Sequence, residues 1–246
     1  MSEHFEMTVD FPVPMVPESA VGKPAEPGVV KVIGIAGADW RGDLLVKALS
    51  DQGIDCSHIV RDASVTTNAY IKPLRKGISD VIYEDPRLDF ENRAPLNAQA
   101  EQKVLEQLDA AAKELDVICV SDQMQFGCIT PAVREKLSRL GAAGKTVIVD
   151  SRYRAAEFKN AIVKPNEVEA VRAFADGTPK DLDGLSVLAA EISERNGRIA
   201  LVTLGDKGCF VVENGAVVRC PACAVEPPID FCGAGDTFLA GFGTLL

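Results

Sequence analysis

A mostly parallel, doubly wound α/β sheet with helices on both faces and a small β lid is the fold this sequence predicts, and three observations predict it. Short all-apolar runs recur along the chain, as in Val117-Ile118-Cys119-Val120 and Val147-Ile148-Val149. Apolar residues at helical spacing lie between them. Polar or glycine-containing stretches follow the runs immediately, as Ser121-Asp122-Gln123 follows Val120. Strands covered on both faces read as continuous apolar runs, and their alternation with amphipathic helices is the pattern of a parallel sheet.

Residues 1–28 carry prolines at 12, 14, 17, 24 and 27 with little periodicity and read as an extended or poorly ordered lead-in. The organised chain, residues 29–246, begins with the run Val29-Val30-Lys31-Val32-Ile33-Gly34-Ile35, followed by Leu44, Leu45, Ala48 and Leu49 at helical spacing, which makes a first βα unit. Residues 65–83 break the rhythm. Thr66-Thr67-Asn68-Ala69-Tyr70-Ile71-Lys72 and Asp80-Val81-Ile82-Tyr83 read as two strands across a Lys-Gly turn, a ribbon lying off the main sheet. The stripe Val104, Leu105, Leu108, Ala111, Ala112, Leu115 then precedes the run at 117–120. Thr130-Pro131 opens a helix as N-cap and first helical residue, with Val133, Leu137 and Leu140 inward, before the run at 147–149. Leu185, Leu188, Ala189 and Ile192 precede Ile199-Ala200-Leu201-Val202-Thr203-Leu204.

Composition narrows the function classes. Lys and Arg number 26 against 36 Asp and Glu, and the net charge of −10 argues against a nucleic-acid backbone or an anionic membrane as partner. A phosphate site must therefore be built locally. The first residues, Met1-Ser2-Glu3-His4-Phe5-Glu6, are acidic, and no apolar run is of membrane-spanning length, so a cytoplasmic location is expected. The odd count of 7 cysteines, several inside apolar runs, reads as reduced thiols rather than a disulfide framework. Cys220-Pro221-Ala222-Cys223 has metal-like or redox-like spacing but lacks a second ligand pair.

In an open parallel sheet ligands bind beyond the carboxyl ends of the strands, so the residues that follow each run are where chemistry is expected. Asp150-Ser151-Arg152, Lys164-Pro165-Asn166 and Gly205-Asp206-Lys207-Gly208 fall there. The strongest local signal is Gly233-Ala234-Gly235-Asp236-Thr237, small residues running into an apolar helix. Glycines let backbone amides approach a phosphate, the helix N-terminus adds its positive end, and a carboxylate beside them can take a proton from an attacking hydroxyl. The competing reading makes Asp236 a plain helix cap. Asn166 and Glu169 have the spacing of a capping box, and Leu204 to Cys209 could be a simple hairpin. Gly34-Ile35-Ala36-Gly37-Ala38-Asp39 lacks the three-glycine spacing of a dinucleotide site.

The order of Asn166 with Glu169, then Thr203, Gly205 and Gly208, then Gly233 to Asp236, resembles the three nucleotide-side motifs of the ribokinase-like (PfkB) carbohydrate kinases. The resemblance runs from about residue 29 to the end and takes in Asp39-Trp40-Arg41-Gly42 and the lid ribbon. It implies a sugar or sugar-phosphate kinase using ATP and Mg2+. Asp236 would be the base, the amides at Gly233, Ala234, Gly235 and Asp236 would stabilise the transferring phosphoryl, and Asn166 with Glu169 would organise the metal and phosphates. Thr203, Gly205 and Gly208 would lie along the nucleotide. Thr66-Thr67, Lys72, Arg87, Asp89, Asp150 and Arg152 look most like the heptose-phosphate kinase branch, and Lys72, Arg87 and Arg152 would hold a phosphate on the sugar. The resemblance leaves open a monovalent cation near Asp230 and a homodimer through the lid. Pro24-Ala25-Glu26-Pro27-Gly28 stands where the family carries a paired-glycine sugar motif, and the family continues past the helix at 237, so a truncated member is expected. The alternative is a catalytically impaired remnant that binds nucleotide or a protein partner.

Overall fold

The computed structural model describes residues 29–76, 82–178, 180–224, 226 and 233–245. The expected lead-in and Asp230 lie outside these residues. The first unit is β1 (Gly34–Gly37), α1 (Trp40–Asp51) and β2 (Ile59–Asp62), and the two strands pair in parallel. Asp39 caps α1, its Oδ1 accepting from the Gly42 amide at 2.9 Å.

Next come β3 (Ala69–Ile71), β4 (Leu74–Lys76), β5 (Ile82–Glu84) and β6 (Leu88–Phe90). Here the expected pairing is corrected. The segment around Tyr70 pairs with β6, and the segment around Tyr83 pairs with β4, so the lid consists of two antiparallel ribbons and reaches residue 90. Alternation identifies a strand but carries no information about its partner, and the short strand at Leu88–Phe90 was not recognised in the sequence.

The main sheet has six strands in the order β12-β11-β10-β9-β8-β7. Its parallel part comprises β7 (Val117–Asp122), β8 (Thr146–Ser151), the two-residue β9 (Ile162–Val163) and β10 (Ala200–Thr203). β11 (Cys209–Glu213) and β12 (Ala216–Cys220) extend it antiparallel. They are joined by Asn214-Gly215, both at positive φ (51° and 79°), the left-handed pair that a two-residue hairpin turn requires.

Five helices complete the layers: α2 (Ala98–Ala111), α3 (Pro131–Ala142), α4 (Glu167–Phe174), α5 (Leu182–Asn196) and α6 (Ala234–Gly243). Val104 and Leu108 of α2, Val133 and Leu137 of α3, Ala170 and Val171 of α4 and Leu188 and Ile192 of α5 pack with one face of the strands, through Val120, Val149, Val163, Val202 and Val212. The other face meets α6. There Ile148, Ile162 and Leu201 enclose Leu239, with Phe238 and Phe242 alongside. Strand residues of alternating parity thus enter two cores, which is why the runs are apolar throughout. Among the described residues no helix is long and apolar enough to cross a membrane.

Candidate active site

The carboxyl ends of β7, β8, β9 and β10 bring Asp122, Asp150, Lys164 and Thr203 to one edge of the sheet. Lys164 donates to Asp150 at 2.7 Å, with their side chains only 4% and 9% exposed. Buried charge of this kind persists only when paired. The first turn of α6 sits on that pair: a Cβ built on Gly235 would lie 3.6 Å from Lys164 Nζ and 3.8 Å from Asp150 Oδ2. The Gly-Ala-Gly-Asp run and the Lys-Pro-Asn run, some 70 residues apart in sequence, therefore meet.

Gly233 takes the N-cap position of α6 at φ 72°, in the left-handed region that favours glycine. Asp236 is consequently in the first turn and not the cap, and its side chain is exposed to solvent. The plain-cap reading of Asp236 is thereby corrected.

Asn166 and Glu169 do form the capping box. The Asn166 side chain accepts from the Glu169 amide at 2.9 Å, and Glu169 accepts from the Asn166 amide at 3.0 Å. Burial pushes the Glu169 carboxyl above its usual range, the backbone amide of Asn166 opposes the shift, Asp150 adds to it, and Lys164 and Arg152 oppose it. Glu169, Asp150, Lys164 and Arg152 thus share one electrostatic neighbourhood. Thr203 is tied to the same place, its amide donating to the Pro165 carbonyl at 3.0 Å beside a parallel bridge to Asn166.

After Thr203 the chain makes a short 3₁₀ turn over Gly205–Lys207, closed by Leu204 N–H to the Gly208 carbonyl at 2.8 Å. The hairpin reading of this segment holds, because it is the turn between antiparallel β10 and β11. Gly208, at φ 91°, admits no side chain: a Cβ there would collide with the Cys220 carbonyl.

The lid residues form a second group. Tyr70 of β3 donates to Glu91 at 2.8 Å, and the Arg87 guanidinium lies 4.6 Å from the Tyr70 ring centroid while pairing with Asp89 at 2.6 Å. The Tyr70 hydroxyl is raised above its usual value by Glu91 and by burial, while Arg152 acts in the opposite direction from the end of β8. The structure therefore gathers Arg87, Asp89 and Arg152 around Tyr70. Lys72 is not in this group; its partner is Glu84 at 2.6 Å on the outer ribbon.

Sequence reasoning assigned no role of their own to three features that the structure places near these residues. One is Lys164, visible in the sequence only as a basic residue after a strand. The second is the buried carboxylate of Asp122, which accepts from Ser151 Oγ at 2.7 Å and from Arg154 Nε at 3.0 Å. Arg154 also donates to the Met124 carbonyl at 2.6 Å, fixing the loop that faces the lid. The third is the Asp39–Thr67 node. Asp39 Oδ2 accepts from the Thr67 amide at 3.0 Å, and Thr67 Oγ1 accepts from the Gly37 amide at 2.8 Å. It anchors the root of the lid to the first βα turn.

The family model for pfkB family carbohydrate kinases matches residues 25–245. The chain belongs to this family. The bifunctional protein HldE of Geobacter sulfurreducens is 30% identical over 226 residues, which is 88% of this chain and 44% of that protein. HldE of Trichlorobacter lovleyi is 32% identical over 221 residues, 86% of this chain and 42% of that protein. This PfkB chain therefore spans less than half the length of the curated relatives it matches. Among solved structures, the Arabidopsis thaliana ribokinase complexed with ribose and ATP aligns with a TM-score of 0.62 at 19% identity, over 87% of this chain and 68% of that one. Phosphofructokinase-2 from Escherichia coli in complex with fructose-6-phosphate aligns at 0.60 and 22%, over 88% and 69%. The sheet of this PfkB chain, with its helices and ribbons, is thus a ribokinase-like fold.

Proposed function

We propose that this PfkB chain carries the centre of an ATP-dependent kinase for a sugar or sugar-phosphate hydroxyl, with Asp236 as general base. The observation that supports it most is the seating of Gly235 on the Lys164–Asp150 pair. That contact sets the amides at the start of α6 beside a buried cation, in the neighbourhood of Glu169. Amides and a helix N-terminus can hold the charge that spreads over the transferring phosphoryl oxygens. Asp236, one residue further on, can receive the hydroxyl proton.

The residues present fit Mg2+. The carboxylates of Glu169 and Asp150 share one electrostatic neighbourhood with Lys164 and Arg152, and they are the groups there that can take a divalent cation. Mg2+ is commonly held in this way, by one or two carboxylates with phosphates and water completing the shell. When bound it would neutralise phosphate charge. On the sugar side, Arg87 and Arg152 about Tyr70 supply cations for a substrate phosphate. Such a protein works where ATP is supplied, and we place it in the cytoplasm.

One observation favours the alternative, a remnant that binds nucleotide or a protein partner without turnover: Asp236 is exposed, so nothing among the described residues desolvates it. Measuring ADP release over a panel of sugars and sugar phosphates, alongside ATP binding by calorimetry, separates the two. Turnover of any member supports the kinase; binding with no turnover across the panel supports the remnant. The outer ribbon exposes Leu74 (63%), Ile82 (58%) and Tyr83 (56%), an apolar surface that suits a second copy of the chain. A purely monomeric mass by light scattering at high concentration would exclude that homodimer.

A further inference from the structure

Cys209 opens β11 and Cys220 closes β12, and the two are direct partners in the antiparallel register. Opposed residues in such a pair have Cα atoms about 4.5 or 5.5 Å apart and side chains on the same face. A disulfide needs Cα atoms about 4.4 to 6.8 Å apart, and the spacing of opposed residues falls within that span. Their environments are unequal. Cys209 is 7% exposed, and burial followed by the adjacent Cys220 pushes its thiol up to about 11. Cys220 is exposed on the outermost strand of the sheet.

We propose that Cys209 and Cys220 form a reversible oxidation site, closing as a cross-strand disulfide when the protein meets a peroxide. The exposed Cys220 reacts first. Its thiolate attacks one peroxide oxygen, an S–O bond forms as the O–O bond breaks, and hydroxide leaves to become water on taking up a proton. The product is a sulfenic acid. Cys209 then attacks the Cys220 sulfur, losing its proton to the departing hydroxyl. The S–S bond forms, the S–O bond breaks and a second water leaves, so two thiols and one peroxide give one disulfide and two waters. Disulfides that form in a reducing compartment are characteristically of this transient kind.

The position gives the bond a consequence. Thr203, Cys209 and Cys220 stand opposite one another in a row across β10, β11 and β12. Gly208 lies against the Cys220 carbonyl, so closure ties β12, the edge strand among the described residues, to the turn that follows Thr203. The significance of that tie for nucleotide binding rests on the proposed function, whereas the chemistry of the site does not.

The test is to treat the reduced native protein with one equivalent of hydrogen peroxide, block the remaining thiols, and map peptides by mass spectrometry. The expected result is a loss of about 2 Da, the two thiol hydrogens, with a Cys209–Cys220 cross-link that dithiothreitol reverses. In Cys209→Ser the sulfenic acid at Cys220 should persist and be trapped by dimedone, and in Cys220→Ser Cys209 should stay reduced. Hydrogen exchange of the residue 216–220 amides should slow in the oxidised protein. A Cys220–Cys223 link, intermolecular disulfides alone, or cross-linking only in urea would overturn the proposal, and unchanged exchange on closure would overturn its structural consequence. The map of the natural sequence decides the matter even if a serine variant folds poorly.

Discussion

The Lys164 ammonium meets the Asp150 carboxylate at 2.7 Å, in a place where both side chains are nearly shut off from water. Removing one partner leaves a buried charge alone, which costs about 3–5 kcal/mol, whereas replacing both by apolar residues costs far less. Lys164→Met should therefore lower the urea midpoint sharply, and Lys164→Met with Asp150→Leu should recover much of the loss. Simple addition of the two single effects would show that the pair is not energetically coupled.

A methyl group at Gly235 would touch Lys164 and Asp150 only at ordinary van der Waals distances, and no positive φ is needed there. Gly235→Ala should change stability by no more than about 1 kcal/mol, with helix propensity favouring alanine. It should still depress phosphoryl transfer, because the methyl group occupies the approach to the α6 amides. Full turnover in this variant would remove Gly235 from the transfer centre.

Asp236→Asn keeps size and removes the proposed base. Since Gly233 is the N-cap of α6, little change in helix stability is expected. Loss of a general base typically costs ~10² to 10⁴ in rate, so kcat should fall by about that factor with ATP affinity nearly constant. An unchanged kcat would take Asp236 out of the mechanism.

Glu169 is raised by burial, so ionising it works against the fold, and its adverse contribution grows as pH rises through its folded pKa. Glu169→Gln can still reach back to the Asn166 amide, as glutamine serves in a capping box. The variant should melt at an equal or higher temperature at neutral pH yet need more Mg2+ for the same activity. A lower melting temperature would mean that the charge itself stabilises the helix start.

For Asp39, burial raises the carboxyl but the amides of Thr67 and Gly42, the Thr67 hydroxyl and Arg41 outweigh it, holding it to about 2 against an ordinary 3.8. A depressed folded value gives stability that is present above the unfolded pKa and is lost as pH falls through the folded one. This group should thus support the fold above about pH 4, its contribution declining as pH falls toward 2. Asp39→Asn should flatten that acid limb in pH-dependent denaturation; an unaltered limb would place the acid transition elsewhere. Asp62, also held to about 2 by Ser64, titrates in the same window and serves as the comparison.

By itself the sequence determined what local periodicity and chain order can carry. Runs such as residues 147–149 and stripes such as Val133 and Leu137 specify strands and helices because every side chain in a two-faced strand must be apolar and those in a helix recur with its turn. The order of Asn166 with Glu169, the Thr203–Gly208 turn and the Gly233–Asp236 run was enough to point to the family, because glycine and carboxylate needs are local. What only the tertiary structure decided was which distant groups meet. The partner of β3 is Leu88–Phe90 because sheet pairing depends on the path of the whole lid, and alternation alone names no partner. Lys164 came to the candidate site because β9, two residues long and too short to show a period, lies between β8 and β10 and delivers it beneath α6. Asp122 with Arg154, and Cys209 with Cys220, became pairs for the same physical reason: burial and register are properties of packed neighbours, and no stretch of chain contains them alone.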